Sequence, residues 1–215
     1  MPKESSNRYS VAGNVEARYV DEAQSVLVNK RGITDLHTLE IAEEEALANA
    51  YGRLVGEVRA YTPMTCELLL HAHRLNFGDL YEWAGRWRTV TISKPGVIWP
   101  PPNYLDQAMA AIGRDILSAY PSDSLTEEHS FCQALGQIQG EFLAIHPFRE
   151  GNARTIKLLT DLLSLQTGRP PLAYDQTESG VARYIDAARS AIQKEYGPMA
   201  EVIRQALAVA EGRTV

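Results

Sequence analysis

Between two apolar helical patterns, the chain reads His146-Pro147-Phe148-Arg149-Glu150-Gly151-Asn152-Ala153-Arg154-Thr155-Ile156-Lys157. Upstream of this loop, apolar residues recur at steps of three and four, which predicts one buried stripe on a helix. The positions are Phe131, Leu135, Ile138, Phe142 and Ile145. Downstream of it, apolar residues occupy more than one face, which is typical of a central, largely buried helix. The sequence therefore predicts a helical protein in which a polar loop joins two buried helices.

The loop has the chemistry of an anion cradle. A helix that begins near Asn152 or Ala153 leaves backbone N–H groups unpaired at its start, and Gly151 lets the chain turn close to them. Arg154, on the first turn, adds a positive charge where phosphate oxygens would lie. Glu150 supplies a carboxylate suited to hold Mg²⁺ between phosphates.

His146 and Phe148 complete the loop. Histidine can accept a proton from an attacking hydroxyl near neutral pH, so His146 is the candidate general base. Phe148 is predicted to turn inward and anchor the loop to the core. Taken alone, a His before Pro is more often an end cap, and Glu-Gly-Asn is more often a turn. The combination of His, Glu, Gly, Asn and Arg within nine positions favours a functional site.

Outside the loop and its two flanking helices, the sequence predicts one β-hairpin and five further helices. Residues 86–93 alternate and are rich in β-branched side chains, 94–96 form a turn signal, and 97–99 return as a second strand. An isolated hairpin is marginal, so this one must lean on the helices or on a partner. Helices are predicted at about 35–50, 63–77, 104–120, 181–194 and 198–210. Ser124-Leu125-Thr126-Glu127 has the spacing of a capping box at the start of the helix before the loop.

Several polar clusters are interpreted as structural. The acidic run Glu40, Glu43, Glu44 and Glu45 is assigned to a solvated helix face. His71 and His73 point in different directions on a helix, which is poor geometry for sharing a metal ion. The N-terminal arm is predicted to pack through Tyr19, Val20, Val26 and Leu27.

Composition narrows the class of protein. The 215 residues include 21 Lys and Arg against 27 Asp and Glu, a formal charge of −6, which argues against coating nucleic acid or an anionic membrane surface. Cys66 and Cys132 lack zinc-site or redox-motif spacing and are interpreted as small buried hydrophobes. No apolar run of signal-peptide or membrane-spanning length is evident, so we expect the reducing cytoplasm.

The loop resembles the signature of the Fic family, His-Pro-Phe-x-Asp/Glu-Gly-Asn-Gly-Arg-x-x-Arg. The matching positions are His146, Pro147, Phe148, Glu150, Gly151, Asn152 and Arg154. Residues 29–33 and 81–88 resemble segments that precede the signature in bacterial Fic proteins, so the likeness runs from about 26 to 168. It implies the all-α Fic fold, a helical bundle around a central helix pair with a small β-hairpin flap. We expect one Fic domain over 1–215, with an arm at 1–32, a core at 33–168 carrying the flap at 86–99, and C-terminal helices at 169–215.

The resemblance implies a protein adenylyltransferase that transfers AMP from ATP to a Ser, Thr or Tyr hydroxyl of a target protein. By matched position, His146 deprotonates the hydroxyl and Glu150 binds Mg²⁺. The implied nucleotide-binding residues are Phe148, Gly151, Asn152, Ala153, Arg154 and Lys157. The flap aligns the target by strand addition. The implied docking residues are Ile92, Ser93, Lys94 and Val97. A purely structural ribbon is the alternative for this hairpin.

Two positions depart from the family pattern. Ala153 replaces the second Gly, which costs nothing in a right-handed helical conformation but strains the loop by about 1 kcal/mol at positive φ. Lys157 replaces the final Arg, so the charge stays but the two-pronged phosphate contact is lost. Weakened nucleotide binding, by roughly tenfold or more, or an altered nucleotide preference follows.

The resemblance also bears on regulation. Family members are inhibited by a Ser/Thr-x-x-x-Glu-Gly/Asn helix, but Glu150-Gly151 lies in the loop and Glu211-Gly212 follows Leu207 instead of Ser or Thr. We therefore expect a toxin restrained by a separate small antitoxin. In the group this chain most resembles, the targets are type II topoisomerases, DNA gyrase and topoisomerase IV. Neither direct nucleic-acid binding nor membrane binding is expected.

Two other classes of function remain open. One is a kinase-like phosphotransferase, as in the Doc branch, or a transferase that uses another nucleotide. The Doc branch carries Lys where Ala153 stands, which argues against it. The other is a catalytically decayed binding module that acts through its flap, against which the retained His146 and Glu150 speak.

Overall fold

Seven α-helices and one small sheet make up the described part of the chain. The computed structural model describes residues 14–213. The helices are α1 (Leu36–Glu57), α2 (Cys66–Phe77), α3 (Leu105–Asp115), α4 (Glu128–Ile145), α5 (Asn152–Gln166), α6 (Glu178–Ile192) and α7 (Gly197–Ala210). Between α2 and α3, β1 (Ser93–Lys94) pairs antiparallel with β2 (Val97–Ile98). The predicted class, all-α with a small hairpin, is confirmed.

The two helices that flank the loop form the centre of the core. Along α4, the stripe Phe131, Leu135, Ile138 and Phe142 is fully buried, and α5 buries apolar residues on several faces, as predicted. Helix α4 packs on α5, α6 and α7. Gly136 and Gly140 allow this close approach. A Cβ on Gly136 would lie 2.8 Å from the Ala200 backbone nitrogen of α7, and a Cβ on Gly140 would lie 2.7 Å from the Ala191 Cβ of α6.

Local hydrogen bonds correct two predicted helix starts. Helix α2 begins at Cys66, capped by Thr65, because the hydroxyl of Thr62 instead accepts the backbone N–H of Arg59 in the preceding turn. Helix α4 begins at Glu128 without a side-chain cap. The predicted capping box is wrong, since the Ser124 hydroxyl donates to Pro121 O within a short 3₁₀ turn.

Helix α3 is shorter than predicted, and α6 begins earlier. Helix α3 ends at Asp115 and is followed by a 3₁₀ turn, Leu117–Ala119, instead of continuing to residue 120. Helix α6 begins at Glu178, where the Thr177 hydroxyl caps Gly180 N.

The N-terminal arm packs on α1 and on residues 77–83. Val26 and Leu27 are buried, and Leu27 forms an isolated antiparallel bridge with Tyr19. Lys30 N donates to Leu80 O at 2.8 Å, which joins the arm to the segment after α2. Val20 is exposed, so its predicted packing role is wrong. Residues 1–13 of the predicted arm lie outside the described residues.

The hairpin strands are only two residues long, much shorter than the predicted 86–93 and 97–99. Arg88 and Thr89 make their backbone hydrogen bonds to other parts of the protein. Arg88 N donates to Pro147 O at 2.8 Å, and Thr89 N donates to Glu16 Oε2 at 2.8 Å. These bonds hold the first arm of the hairpin to the loop and the N-terminal arm, so it cannot extend the ladder.

Both cysteines are free thiols. Cys132 is buried as predicted, whereas Cys66 is half-buried and donates its Sγ–H to Met109 O at 3.1 Å. Burial raises the pKa of each thiol to about 11, so neither is a reactive thiolate at neutral pH. No helix within residues 14–213 is both long and apolar enough to cross a membrane.

The close contact at Gly136 predicts that alanine destabilises the protein there, although helix propensity alone favours alanine over glycine. Gly136→Ala should lower the free energy of unfolding by about 1–3 kcal/mol, because its new Cβ pushes α7 away from α4. The matched control is Gly52→Ala in α1, where nothing lies within 4 Å of the added Cβ and a gain of about 0.4–1 kcal/mol is expected. Urea denaturation measures both, and a stabilised Gly136→Ala variant would contradict the close approach.

Candidate active site

The loop enters and leaves through left-handed backbone. His146 ends α4 with φ 53° and ψ 61°, and Gly151 precedes α5 with φ 78°. A Cβ at Gly151 would fall 2.1 Å from the Phe77 ring, so only glycine fits there. For His146 the left-handed conformation is unfavourable, and the surrounding contacts must hold it.

Asn152 clamps the loop onto itself. Its Oδ1 accepts from Phe148 N at 2.8 Å, and its Nδ2 donates to Phe148 O at 2.9 Å. Phe148 is fully buried and stacks on His73 with ring centroids 3.7 Å apart. Phe148 therefore anchors the loop as predicted, with its ring and both backbone groups engaged in the fold, and its assignment to nucleotide binding stays a prediction. The Asn152 carboxamide is likewise committed to the loop.

The start of α5 keeps its backbone donors. No side chain in the described residues caps this helix, so the first N–H groups, from Asn152 onward, point into the space beside the loop. Ala153 has negative φ and lies in the helix, which confirms the unstrained alternative for this position. The helix dipole and these donors favour an anion here.

His146 is held with one nitrogen available. Its Nδ1 lies 3.3 Å from Leu143 O, and because a carbonyl only accepts, Nδ1 carries the proton and Nε2 keeps its lone pair. The ring stacks on Trp99, with centroids 4.1 Å apart. Burial lowers the pKa of His146 to about 4, and the positive charges of Lys94 and Arg88 act in the same direction. The imidazole is therefore neutral at pH 7 and can accept a proton at Nε2.

His73 supports the loop from beneath. It is completely buried, and its Nε2 donates to Glu150 O at 3.1 Å while its Nδ1 accepts from Gly85 N at 2.8 Å. Burial lowers its pKa to about 3, so it is neutral. The predicted structural role of His73 is confirmed, but the sequence contains no sign that His73 contacts the loop, because the two segments lie far apart in the chain.

Arg154 is held by two carboxylates. Its Nη1 lies 2.6 Å from Glu43 Oε2 of α1, and its Nη2 lies 3.5 Å from Glu150 Oε1. Glu43 is buried and also accepts the Tyr81 hydroxyl at 2.5 Å. The assignment of Glu43 to a solvated helix face is therefore wrong. Glu150 itself is half-exposed, and its Oε1 accepts from Gly151 N at 2.9 Å.

Lys157 lies one turn further along α5, between two tyrosines. Its Nζ is 4.0 Å from the ring centroid of Tyr184 and 4.3 Å from that of Tyr174. Both tyrosine hydroxyls bond to the buried side chain of Gln139. Burial lowers the pKa of Lys157. Its ammonium is thus stabilised by aromatic faces in the absence of any phosphate.

A cavity of about 660 Å³ adjoins the start of α5. Ala153, Lys157 and the flap residue Lys94 line it together with residues of α6 and α7. A second cavity of about 770 Å³ lies on the other side of Lys157 and is lined by Glu43 and Arg154. The first cavity is therefore lined by three predicted site residues, Lys94, Ala153 and Lys157.

The predicted docking residues lie along the flap. Ser93 and Lys94 form β1, Val97 begins β2, and Ile92 precedes β1. In the described residues each strand pairs only with the other, so each keeps an unpaired edge. Ile98 is 81% exposed at the flap and was not among the predicted docking residues.

The fold and the site define a helical domain in which a hairpin flap stands beside a polar loop at a helix start. The sequence profile of the Fic/DOC family matches residues 63–164 of this chain, and these contain the whole loop and the flap. These residues, just under half of the chain, form a Fic/DOC-family domain.

Named relatives and solved structures agree with this assignment. Protein adenylyltransferase VbhT of Bartonella schoenbuchensis is 29% identical over 179 residues, 83% of this chain and 36% of that protein. Protein adenylyltransferase Fic of Nematostella vectensis is 27% identical over 63% of this chain and 30% of its own length. This chain therefore spans about a third of either relative.

Solved structures share the fold at lower identity. The N-terminal FIC domain of Bep8 from Bartonella sp. 1-1C has a TM-score of 0.75 and 18% identity, over 88% of this chain and 94% of that one. BepC from Bartonella tribocorum, with bound AMPPNP, has a TM-score of 0.70 and 17% identity, over 87% and 95%.

The contact between Glu43 and Arg154 predicts a stability effect. Glu43→Gln should lower the free energy of unfolding by about 1.5–3 kcal/mol, because it removes the charge from two hydrogen bonds at a buried carboxylate. Glu45→Gln, at an exposed position of the same helix, should change it by less than about 0.5 kcal/mol. Urea titration at pH 7 compares them, and equal effects would mean that Glu43 is solvated after all.

Proposed function

We propose that this chain is a protein adenylyltransferase, which moves AMP from ATP to a Ser, Thr or Tyr hydroxyl of another protein. The observation that carries the proposal is the neutral His146, with Nε2 available, beside the uncapped start of α5. The names of VbhT and of the Nematostella protein support the activity, and the AMPPNP-bound BepC supports an adenine nucleotide.

In the proposed reaction, the target hydroxyl oxygen attacks the α-phosphorus of ATP. His146 Nε2 takes the hydroxyl proton, the bond between the α-phosphorus and the bridging oxygen breaks, and pyrophosphate leaves with the electron pair. The backbone N–H groups of Asn152 and Ala153, with the Arg154 guanidinium, hold phosphate oxygens. Gly151 allows the left-handed turn that precedes these donors, at a position where a Cβ would collide with the Phe77 ring.

Glu150 fits the proposed Mg²⁺ site. Mg²⁺ keeps several waters and usually takes only one or two protein carboxylates together with phosphate oxygens. Glu150 offers one half-exposed carboxylate next to the helix start. When bound, the ion would neutralise phosphate charge.

The proposal extends to a toxin restrained by a separate antitoxin. Leu207 is fully buried, and the Glu211 carboxylate pairs with Arg213 at 2.6 Å, so this Glu-Gly pair has no resemblance to an inhibitory helix. A type II topoisomerase target and a cytoplasmic location remain proposals from the family resemblance.

Labelled ATP separates the proposed reaction from its alternatives. In native lysate with Mg²⁺, ATP labelled at the α-phosphate should label a protein, and His146→Ala should reduce the label by about 10²–10⁴-fold because the general base is lost. The control is His71→Ala, at an exposed histidine paired with Glu57. Label from the γ-phosphate would indicate a kinase-like transferase. Absence of label from both positions would leave a binding module or a transferase that uses another nucleotide.

If the protein is a toxin, bacterial growth also distinguishes the wild type from His146→Ala. Expression of the wild type without its antitoxin should slow bacterial growth, and expression of His146→Ala should not. Equal growth of both strains would contradict the toxin proposal.

Position 157 tests the contact with the terminal phosphates. Lys157→Arg should tighten ATP binding by roughly tenfold, because a planar guanidinium makes two parallel contacts where an ammonium makes one. Lys157→Gln should weaken it. Titration calorimetry measures both affinities. Identical affinities in all three proteins would mean that the ammonium stays with Tyr174 and Tyr184 and does not reach the nucleotide.

A further inference from the structure

We propose that Arg88 is a positioning residue that ties both ends of the flap to His146. The inference deepens the proposed function and rests on it. It concerns the flap root, defined as Val90 and Pro100, where the two arms of the hairpin leave the helical body. Arg88 fixes the position of the flap, whose strand edge would receive a target, relative to His146, the base that would deprotonate the target.

The Arg88 guanidinium bonds to three separate segments. Its Nη1 donates to Val90 O at 2.8 Å and its Nη2 to Pro100 O at 2.7 Å, which covers both arms of the flap root. Its Nε donates to His146 O at 2.8 Å. The Arg88 backbone N–H adds a bond to Pro147 O at 2.8 Å. The Arg88 side chain therefore joins both arms of the flap root to the loop.

This arrangement is costly unless all its bonds form. Arg88 is 2% exposed, and its hydrogen-bond acceptors in the described residues are carbonyl oxygens, with no carboxylate among them. Burial lowers the pKa of Arg88 to about 10, against the influence of Glu16. A buried charge without an ion pair needs full hydrogen bonding. Only a planar fork with several donors reaches carbonyls in three directions, so lysine cannot replace it.

The hydrogen bond from Arg88 acts on His146, whose left-handed backbone conformation is unfavourable. His146 has a left-handed backbone, and the bond from Arg88 fixes its carbonyl. Trp99, adjacent to the flap root, stacks on the His146 ring and donates its indole N–H to Leu143 O at 3.1 Å. The carbonyl and the ring of His146 are thus both held from the flap side. A strand added to the flap edge is presented at a fixed position relative to Nε2.

Arg88 also contributes charge. The charged groups that act on His146 are Glu150 from the loop, Lys94 from the flap and Arg88. The two cations disfavour protonation of the imidazole, and Glu150 favours it. Removal of the Arg88 charge therefore raises the pKa of His146, whereas its replacement by lysine does not.

The test compares Arg88→Lys and Arg88→Met with Arg86→Lys, an exposed arginine two positions earlier. In Arg88→Lys, kcat for AMP transfer should fall by about 100-fold, the loss expected when reacting groups are misplaced by about 1 Å. KM for ATP should change less than twofold, because the helix start is untouched. In Arg88→Met, the acid limb of the pH–rate profile should also move to higher pH. Arg86→Lys should match the wild type.

Hydrogen exchange supplies a readout that needs no catalysis. In Arg88→Lys, amide exchange should rise together in residues 89–99 and 143–151, with unchanged exchange in α6 and α7. A melting temperature checks that the variant is folded, and if Arg88→Met does not fold, the lysine variant alone decides. Unchanged kcat, or faster exchange in the flap without faster exchange in the loop, would overturn the proposal. A wild-type protein that transfers no AMP would overturn the proposed function, and the exchange comparison would still decide whether Arg88 ties flap to loop.

Discussion

The site depends on one clamp, the pairing of the Asn152 carboxamide with both backbone groups of Phe148. Because the pair is buried, loss of either bond leaves a polar group unsatisfied in the core, so the loop has one stable shape. That shape requires left-handed corners at His146 and Gly151. From it follow the inward turn of Phe148, the contact of His146 Nδ1 with Leu143 O and the uncapped start of α5. The residues that form one motif in the sequence are thus divided between those that build the loop and those that stay candidates for binding.

The charges around the loop explain how a chain of net charge −6 can offer an anion site. Arg154 is paired with Glu43 and Glu150, and Lys157 sits against two tyrosine rings, so neither adds a broad positive surface. In the proposed function, the attraction for phosphate comes from backbone dipoles at the start of α5, a field that does not depend on net charge. A local cradle of this kind discriminates by shape and leaves the rest of the surface acidic.

Much of the fold could be predicted because it follows from local patterns. Apolar spacing placed the two central helices, and the loop chemistry identified His146, Glu150 and Arg154 as neighbours. The errors have a shared cause. Glu43 was assigned to water because periodicity cannot tell an acidic face from one carboxylate with an arginine partner on another helix. The hairpin was predicted too long because alternation reports β-propensity, whereas Arg88 bonds to the loop and Thr89 bonds to the N-terminal arm.

The sequence by itself determined the helical class, the central pair and the order of residues in the loop, since helix periodicity and a contiguous motif are local properties of the chain. Only the tertiary structure decided which groups support that loop. His73, Glu43 and Arg88 come from segments that are distant in sequence, and each reaches the loop through a single hydrogen-bonding side chain. Such contacts leave no periodic signal, because they depend on how α1, α2 and the flap pack around α5. The sequence of the loop is a local property of the chain, and the packing of the whole domain holds the loop in place.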